Sequence, residues 1–399
     1  MQEQKLLNYL NNIYKEAVEL TKFSREEGEE TYEYLRGNQL PPDVVSILAK
    51  RGQPLRWENI IAEIDTSIGG IMHMAKIQIK VNSRNNENIE AAQIREKLHL
   101  AYIENSEWNT TRVRADQDLR ITGLSVIETT LVDTKQRDAL GRPIYDIKDT
   151  HIPSKEALID MYSRKADYSD ARYFHHTRLY DKNLIMKAYP KLKDKIAKFG
   201  ANRHNLIRVT RTWYYDEKGN IKIATWMPNL ILEDIKQPYN ELNRFSVVVR
   251  RLNFTYKKEY YGMYRNILPL QDDINYSMLR VKNMLSSIKV ILEASAVEDV
   301  DEFMALFSQD NSVTVVNDGV LQSRRMEVIN LTNNIAQILN LIQDTRVRAK
   351  QIIGISPELL GTSTQRLSGI AIQMKQNAAL VGFQPLINAS HNMLIDLFK

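Results

Sequence analysis

The densest chemical signals in this sequence are carboxylates. Asp272 and Asp273 stand side by side, and Glu298, Asp299, Asp301 and Glu302 crowd together, followed by Asp310 and Asp318. Acid–base catalysis needs two such groups converging on a cleft, and their spacing supplies no partner. Exposed acids near helix N-termini, where the helix dipole favours negative charge, explain them better. His175 and His176 are adjacent, so on a strand they face opposite sides and cannot share a metal. Cysteine is absent, which removes disulfides, thiolate metal sites and a cysteine nucleophile and suits an intracellular site of synthesis. No Gly-x-x-x-x-Gly-Lys-Ser/Thr, Gly-x-Gly-x-x-Gly or Gly-x-Ser-x-Gly pattern occurs. No catalytic residue, metal or cofactor is therefore expected. One further stretch, Thr362, Ser363, Thr364, Gln365 and Arg366, joins small hydroxyls to one cation. Such groups can make short, exchangeable hydrogen bonds to phosphate oxygens; an ordinary connection between helices is the alternative.

Long helices would position these residues. Ile267, Leu270, Ile274, Met278, Val281, Leu285, Ile288 and Leu292 recur at gaps of three or four, which predicts one amphipathic helix of about seven turns. Val328, Leu331, Ile335, Ile338 and Ile342, extended by Ala349 and Ile352, predict a second. Between them Glu293–Glu327 is compact and acidic, with a short helix around Val300, Phe303, Met304, Leu306 and Phe307 and a strand and turn over Ser312–Val320. An out-and-back helix pair with a separate tip is a stalk.

Charge narrows what the stalk touches. The 399 residues carry a formal net charge of +5. From Tyr260 to Lys399 there are 12 Lys and Arg against 13 Asp and Glu, leaving 42 against 36 in the first 259 residues. A surface that grips nucleic acid clusters its cations, and the stalk half does not. Its cations Arg280, Lys282, Lys289, Arg346, Arg348 and Lys350 are mixed with Asn, Gln and Ser. They are solvated outer charges or make pairs between subunits, or some of them face DNA. No run of eighteen apolar residues marks a membrane span, and the N-terminus lacks signal-peptide order.

Upstream, helices are expected over Leu6–Leu35, over Pro42–Ala49, in a segment ending near Gly69-Gly70, and from Asn86 to about Arg120 through Ile94, Leu98, Tyr102 and Ile103. Strands are expected at Lys76–Val81 and Gly123–Val132. From Gly141 to Phe245 short strands and turns dominate: Ala171–Leu179, then Leu206–Tyr215 and Ile221–Met227 joined by Asp216–Asn220, then Leu230–Ile235, with Phe245–Arg250 following. Short helices over Asp181–Tyr189 and Lys191–Lys198 flank Pro190. The fold class is α+β, mainly helical, with an inserted β-rich part. Past Ser368 a further helix meets Pro385, which either kinks it or starts a separate helix.

Several tracts resemble the portal proteins of short-tailed double-stranded-DNA phages. Tyr261-Gly262-Met263-Tyr264-Arg265 and Leu270-Gln271-Asp272-Asp273-Ile274-Asn275 resemble the opening of their first stem helix. Gly354-Ile355-Ser356-Pro357-Glu358-Leu359-Leu360-Gly361 and Ser368-Gly369-Ile370-Ala371-Ile372-Gln373 resemble the end of the second stem helix and the entry to the wing helix. Arg51-Gly52-Gln53-Pro54 with Asn59-Ile60, the tract Ser163–Tyr173, Gln237-Pro238-Tyr239 and Asn243-Arg244-Phe245 also fit, in order along the chain. The resemblance implies a wing (1–259), a first stem helix (260–292), a clip (293–327), a second stem helix (328–355), a tunnel-loop region (356–369) and a wing helix (370–399) leading toward a crown that is absent or truncated.

It further implies a non-enzymatic virion protein assembled in the host cytoplasm. That protein is a homo-oligomer, a dodecamer in the family, around a channel for double-stranded DNA in packaging and ejection. Terminase and then head-completion or tail adaptor proteins would dock on the clip, through Glu298, Asp299, Asp301, Glu302, Phe303, Asp310 and Asp318. Capsid and scaffolding proteins would surround it in the procapsid. Thr362–Arg366 would be the tunnel loop, and the stem cations would line the channel. A metal-dependent nucleic-acid enzyme and a helical scaffold or adaptor without DNA contact are the rival readings.

Overall fold

The computed structural model describes residues 2–50, 52, 58–74, 80–83, 88–105, 107–137, 140–238, 243–286, 289–293, 295–307, 315–322, 326–329, 332–355 and 380–398. The chain divides into two compact units. One comprises Met1–Arg36, Ile61–Arg265 and Ile353–Lys399; the other comprises Gly37–Ile60 and Asn266–Ile352. Helices and strands are mixed, as the α+β class expected.

The first unit is built in four layers. Strands β3 (Ala157–Ile159), β4 (Tyr173–Asp181), β5 (Leu206–Tyr215), β6 (Ile221–Met227) and β7 (Leu230–Lys236) form an antiparallel sheet in sequence order. The short helices α7 (Lys182–Ala188) and α8 (Lys193–Ala197) connect β4 to β5 on either side of Pro190. Tight turn chemistry explains the register of β5 on β6. The Asp216 carboxylate accepts from the Lys218 and Asn220 amides at 2.9 and 2.8 Å, and Gly219 takes φ of 78°. Alternation then sorts the side chains. Ile159, Phe174, Trp213 and Ile223 face a second antiparallel sheet, β2 (Pro143–His151), β1 (Leu124–Arg137) and β8 (Val247–Arg251), through Val126, Val247 and Val249. Leu158, Tyr173, Tyr214 and Trp226 face the other way, onto Leu7, Leu10, Ile13 and Ala17 of α1 (Gln2–Leu20). On the far side of the smaller sheet, Ile127 packs on Trp108 and Ala115 of α6 (Trp108–Thr122) and on Met393 and Leu394 of α12 (Gln384–Leu397).

His175 and His176 do face opposite sides. His175 is fully buried on the α1 face, its Nδ1 at 2.8 Å from the Thr212 hydroxyl, and burial pushes its pKa down to about 3. The Thr212 oxygen also accepts from the Trp226 indole at 2.8 Å. His176 Nε2 lies 3.1 Å from Glu156. The structure thus gives each histidine a packing role in the sheet.

Past β8 the chain makes a two-stranded ribbon, β9 (Asn253–Phe254) with β10 (Tyr260–Tyr261). There two backbones touch. Gly123 closes α6 with φ of 79°. A Cβ there would lie 2.1 Å from the Tyr261 carbonyl oxygen, and one on Gly262 would lie 2.0 Å from that of Ile121. The Met263 amide donates to the Arg120 carbonyl at 2.7 Å. Just beyond, the Asp65 carboxylate on α4 (Ile60–Met74) accepts from Arg120 Nε at 2.9 Å and from the Tyr264 hydroxyl at 2.6 Å, all three side chains being buried. Arg265 pairs with Glu27 of α2 (Lys22–Leu35) and stacks over Tyr261. The Tyr-Gly-Met-Tyr-Arg tract is therefore a backbone clasp with a buried ion pair behind it.

The second unit holds α3 (Pro42–Lys50), α9 (Leu268–Ser286), β11 (Lys289–Leu292), α10 (Val300–Phe307), β12 (Met326–Ile329) and α11 (Thr332–Ile353). Here several expectations are corrected. The first long helix stops at Ser286, and Lys289–Leu292 is a strand paired with Met326–Ile329, so Leu292 and Val328 leave the helical stripes. The β-branched run Val290-Ile291 suits a strand, and an apolar run of this length fits either period. In the first unit, Gly69-Gly70 lies inside α4 and does not end it. The single helix over Asn86–Arg120 is two, α5 (Ile89–Asn105) and α6, and Ile94 and Leu98 are exposed. Pro385 starts a separate helix, at its first turn, where its missing N–H costs nothing. Most of the strand expected at Lys76–Val81 and the first residues of Ser312–Val320 fall outside the described residues.

Gly262→Ala should destabilise the protein by at least about 2 kcal/mol, because the clash is with backbone that cannot move aside. Urea denaturation followed by circular dichroism measures it, and a midpoint equal to that of the native sequence would contradict the clasp.

Candidate nucleic-acid and docking surfaces

The residues that lead into α4 hold the two long helices of the second unit. Gln271 on α9 is fully buried. Its Oε1 accepts from the Ile60 amide at 2.9 Å, and its Nε2 donates to the Glu58 carbonyl at 2.9 Å and to Asn275 Oδ1 at 3.1 Å. From α11, Arg346 reaches the Glu58 carboxylate at 2.7 Å. The segment Glu58–Ile60 is thus tied by its backbone to α9 and by its side chain to α11. An unpaired buried backbone amide is costly, which accounts for a glutamine inside the stripe Ile267–Ile274.

Each helix buries one face. On α9 this is Gln271, Ile274, Asn275 and Val281, while Leu285, expected in the stripe, is exposed. On α11 it is Ile342, Thr345 and Ala349, while Ile352 is exposed. Thr345 tolerates burial because its hydroxyl donates to the Leu341 carbonyl at 2.8 Å. The rest of α11 is informative. Leu341 and Ile352 are 55% and 54% exposed on one flank, and Leu339 and Val347 are 43% and 54% exposed on the other. At 3.6 residues per turn these flanks are roughly opposite. The buried face lies between them on one side, and Asn340, Asp344 and Gln351 lie between them on the other.

The cations of α9, β11 and α11 differ in their surroundings. Arg280 and Arg348 are exposed, and neither has an ion-pair partner among the described residues. Arg346 belongs to the Glu58 tie, and Lys282 and Lys350 are half-buried. Lys289 lies in β11, so its helical placement is corrected. The loop residues Thr362, Ser363, Thr364, Gln365 and Arg366 lie outside the described residues.

At the tip, Asp299 serves α10: its carboxylate accepts from the amides of Asp301 and Glu302 at 2.8 and 3.2 Å. Phe303 is 4% exposed and belongs with Ala296, Val297 and Val320 to the buried residues of this segment, so it supports the tip from within. The Asn317 side chain donates to the Ser295 carbonyl at 2.9 Å, closing the loop, and Gly319 takes φ of 81°. Glu298, Asp301, Glu302 and Asp318 are exposed, beside the exposed apolar pair Val300 and Met304 one helical turn apart. Asp310 is outside the described residues. Sequence reasoning missed Glu58, Gln271 and Asn275 as the tie. Gln271 and Asn275 did leave a signal, as polar side chains inside an apolar repeat; Glu58, ahead of α4, left none.

Comparison with known proteins gives two findings. A family model described as "Phage P22-like portal protein" matches residues 11–229 and 207–398. The portal protein of Helicobacter pylori bacteriophage KHP30 is 26% identical over 395 residues, covering 97% of this chain and 64% of that protein. The chain therefore spans just under two thirds of the length of the curated relative it matches.

Gln271→Leu removes an acceptor from the Ile60 amide and a donor from the Glu58 carbonyl, and should cost about 2–4 kcal/mol. Hydrogen exchange at the Ile60 amide should accelerate strongly. An unchanged rate would show that the tie is not what protects it.

Proposed function

We propose, from the premise that this chain belongs to the P22-like phage portal protein family, that it forms a ring at one capsid vertex whose central channel passes double-stranded DNA. The ring has the dodecameric symmetry that the resemblance implies. It is a structural component of the virion rather than an enzyme. The observation that carries this reading is α11, whose two opposite flanks each expose large apolar side chains. Two different exposed apolar flanks on one helix suit head-to-tail association, which closes into a ring when the rotation between subunits closes.

Low net charge supports the channel role. Each phosphate neutralised by a fixed cation adds affinity through counterion release, and a conduit must let DNA slide. The near balance of 12 cations and 13 acids from Tyr260 onward suits that need. Arg280 and Arg348, exposed on α9 and α11, are the stem cations proposed to meet DNA or a neighbouring subunit. Thr362, Ser363, Thr364, Gln365 and Arg366 remain the proposed tunnel loop.

The acidic tip is the proposed docking site for terminase during packaging and for head-completion or tail adaptor proteins afterwards. Glu298, Asp301, Glu302 and Asp318 offer charge, and Val300 and Met304 offer an apolar anchor between them. The two-stranded ribbon β11–β12 has both outer edges unpaired among the described residues, which suits completion by a neighbouring subunit through strand addition. Wing and stem correspond to the first and second units in this reading. Capsid and scaffolding proteins are the remaining proposed partners. No helix among the described residues is long and apolar enough to cross a membrane.

Negative-stain imaging of the purified protein should show rings with a central hole, and Leu341→Asp or Val347→Asp should leave folded monomers. Rings of normal size from both variants would remove α11 from the interface. Arg366→Glu should impair DNA packaging or retention while rings still assemble; normal packaging would take the loop out of the channel.

A further inference from the structure

A cavity of about 490 Å³ opens in the first unit between α2, α6 and the chain around Pro153. Its floor carries two hydroxyls, Ser24 Oγ and Tyr260 OH, on side chains that are each 1% exposed. Neither has a hydrogen-bond partner among the described residues. Leaving a buried hydroxyl unpaired costs free energy comparable to a lost hydrogen bond, so two lining one cavity point to an acceptor that binds there.

The chemistry around them indicates what that acceptor is. Asp118 is the buried acid lining the cavity, and its carboxylate already has three partners. Its Oδ2 accepts from the Ser154 amide at 2.8 Å and lies 2.9 Å from His151 Nε2, while Oδ1 accepts from the Tyr32 hydroxyl. Arg25 is engaged with the Val18 carbonyl and the Thr21 hydroxyl at 3.1 Å each, and Arg36 with Glu33 at 2.9 Å. Arg114 and Lys155 line the mouth, exposed and with no ion pair among the described residues, against Glu29 as the one acid there in the same condition. Donors on the floor and surplus cations at the mouth favour a group with several acceptor oxygens and negative charge.

We propose that this cavity binds a small oxyanion of the phosphate class, held by Ser24 and Tyr260 below and by Arg114 and Lys155 above. Inorganic phosphate and the phosphate of a nucleoside monophosphate present the same oxygens. The proposal stands apart from the ring and its channel, and its failure would leave them untouched.

Thermal unfolding of the full chain in phosphate against chloride at equal ionic strength tests it. A well-occupied site should raise the melting temperature by about 2 °C or more, and calorimetric titration should give one phosphate per chain. Tyr260→Phe removes only the hydroxyl, and Arg114→Glu changes an exposed side chain. Each should fold normally and lose the rise. Adenosine monophosphate in place of phosphate distinguishes the sources: an equal rise assigns the site to phosphomonoesters, and no rise assigns it to the free ion. No rise in the native sequence, or an undiminished rise in both variants, overturns the proposal.

Discussion

The fold depends on a contact without side chains. Gly123 and Gly262 let the end of α6 and the chain after Tyr260 approach until their backbones touch, and only glycine leaves the room. That approach brings Tyr264 and Arg120 onto one carboxylate, Asp65. A buried arginine is tolerable only when paired and hydrogen-bonded, so the glycines and the ion pair need each other. Without the close approach the charges would be unpaired; without the charges the clasp would rest on one backbone hydrogen bond.

Much of this architecture was legible in the sequence, and the reasons are local. Strands β5 and β6 begin and end where alternation and the Asp216–Asn220 turn placed them, because turn chemistry fixes register independently of the rest. Helix α3 and the short helices around Pro190 were legible for the same reason. The long stripe from Ile267 overran into β11, since Val290, Ile291 and Leu292 satisfy either period and nothing local ends a helix at Ser286. The break between α5 and α6 was likewise hidden, as no proline or glycine marks it.

The candidate surfaces were less legible. Net charge showed the near balance of cations and acids from Tyr260 onward, but not which cations are paired. Arg346 looked like its neighbours Arg348 and Lys350 until its partner, Glu58, appeared almost 290 positions earlier. Gln271 stood out as a polar residue in an apolar stripe, but its partners at positions 58 and 60, 213 and 211 positions away, did not. Phe303 and Asp299 sit in the acidic tract, yet one fills the tip and the other holds its helix. Composition cannot separate residues that build a surface from those that present it.

The four-layered order of the first unit has a consequence for how the chain is made. Helix α1 is synthesised well before its cover, since the residues it packs on include Leu158, Tyr173, Tyr214, Trp226 and Ile231. At elongation rates of about 5–20 residues per second, Leu7, Leu10, Ile13 and Ala17 have no native cover for roughly ten seconds or more after leaving the ribosome. During that interval the helix is an amphipathic segment whose partner does not yet exist. Until the sheet arrives, its apolar face is available to chaperones and to other nascent copies, so this helix must wait for its own fold.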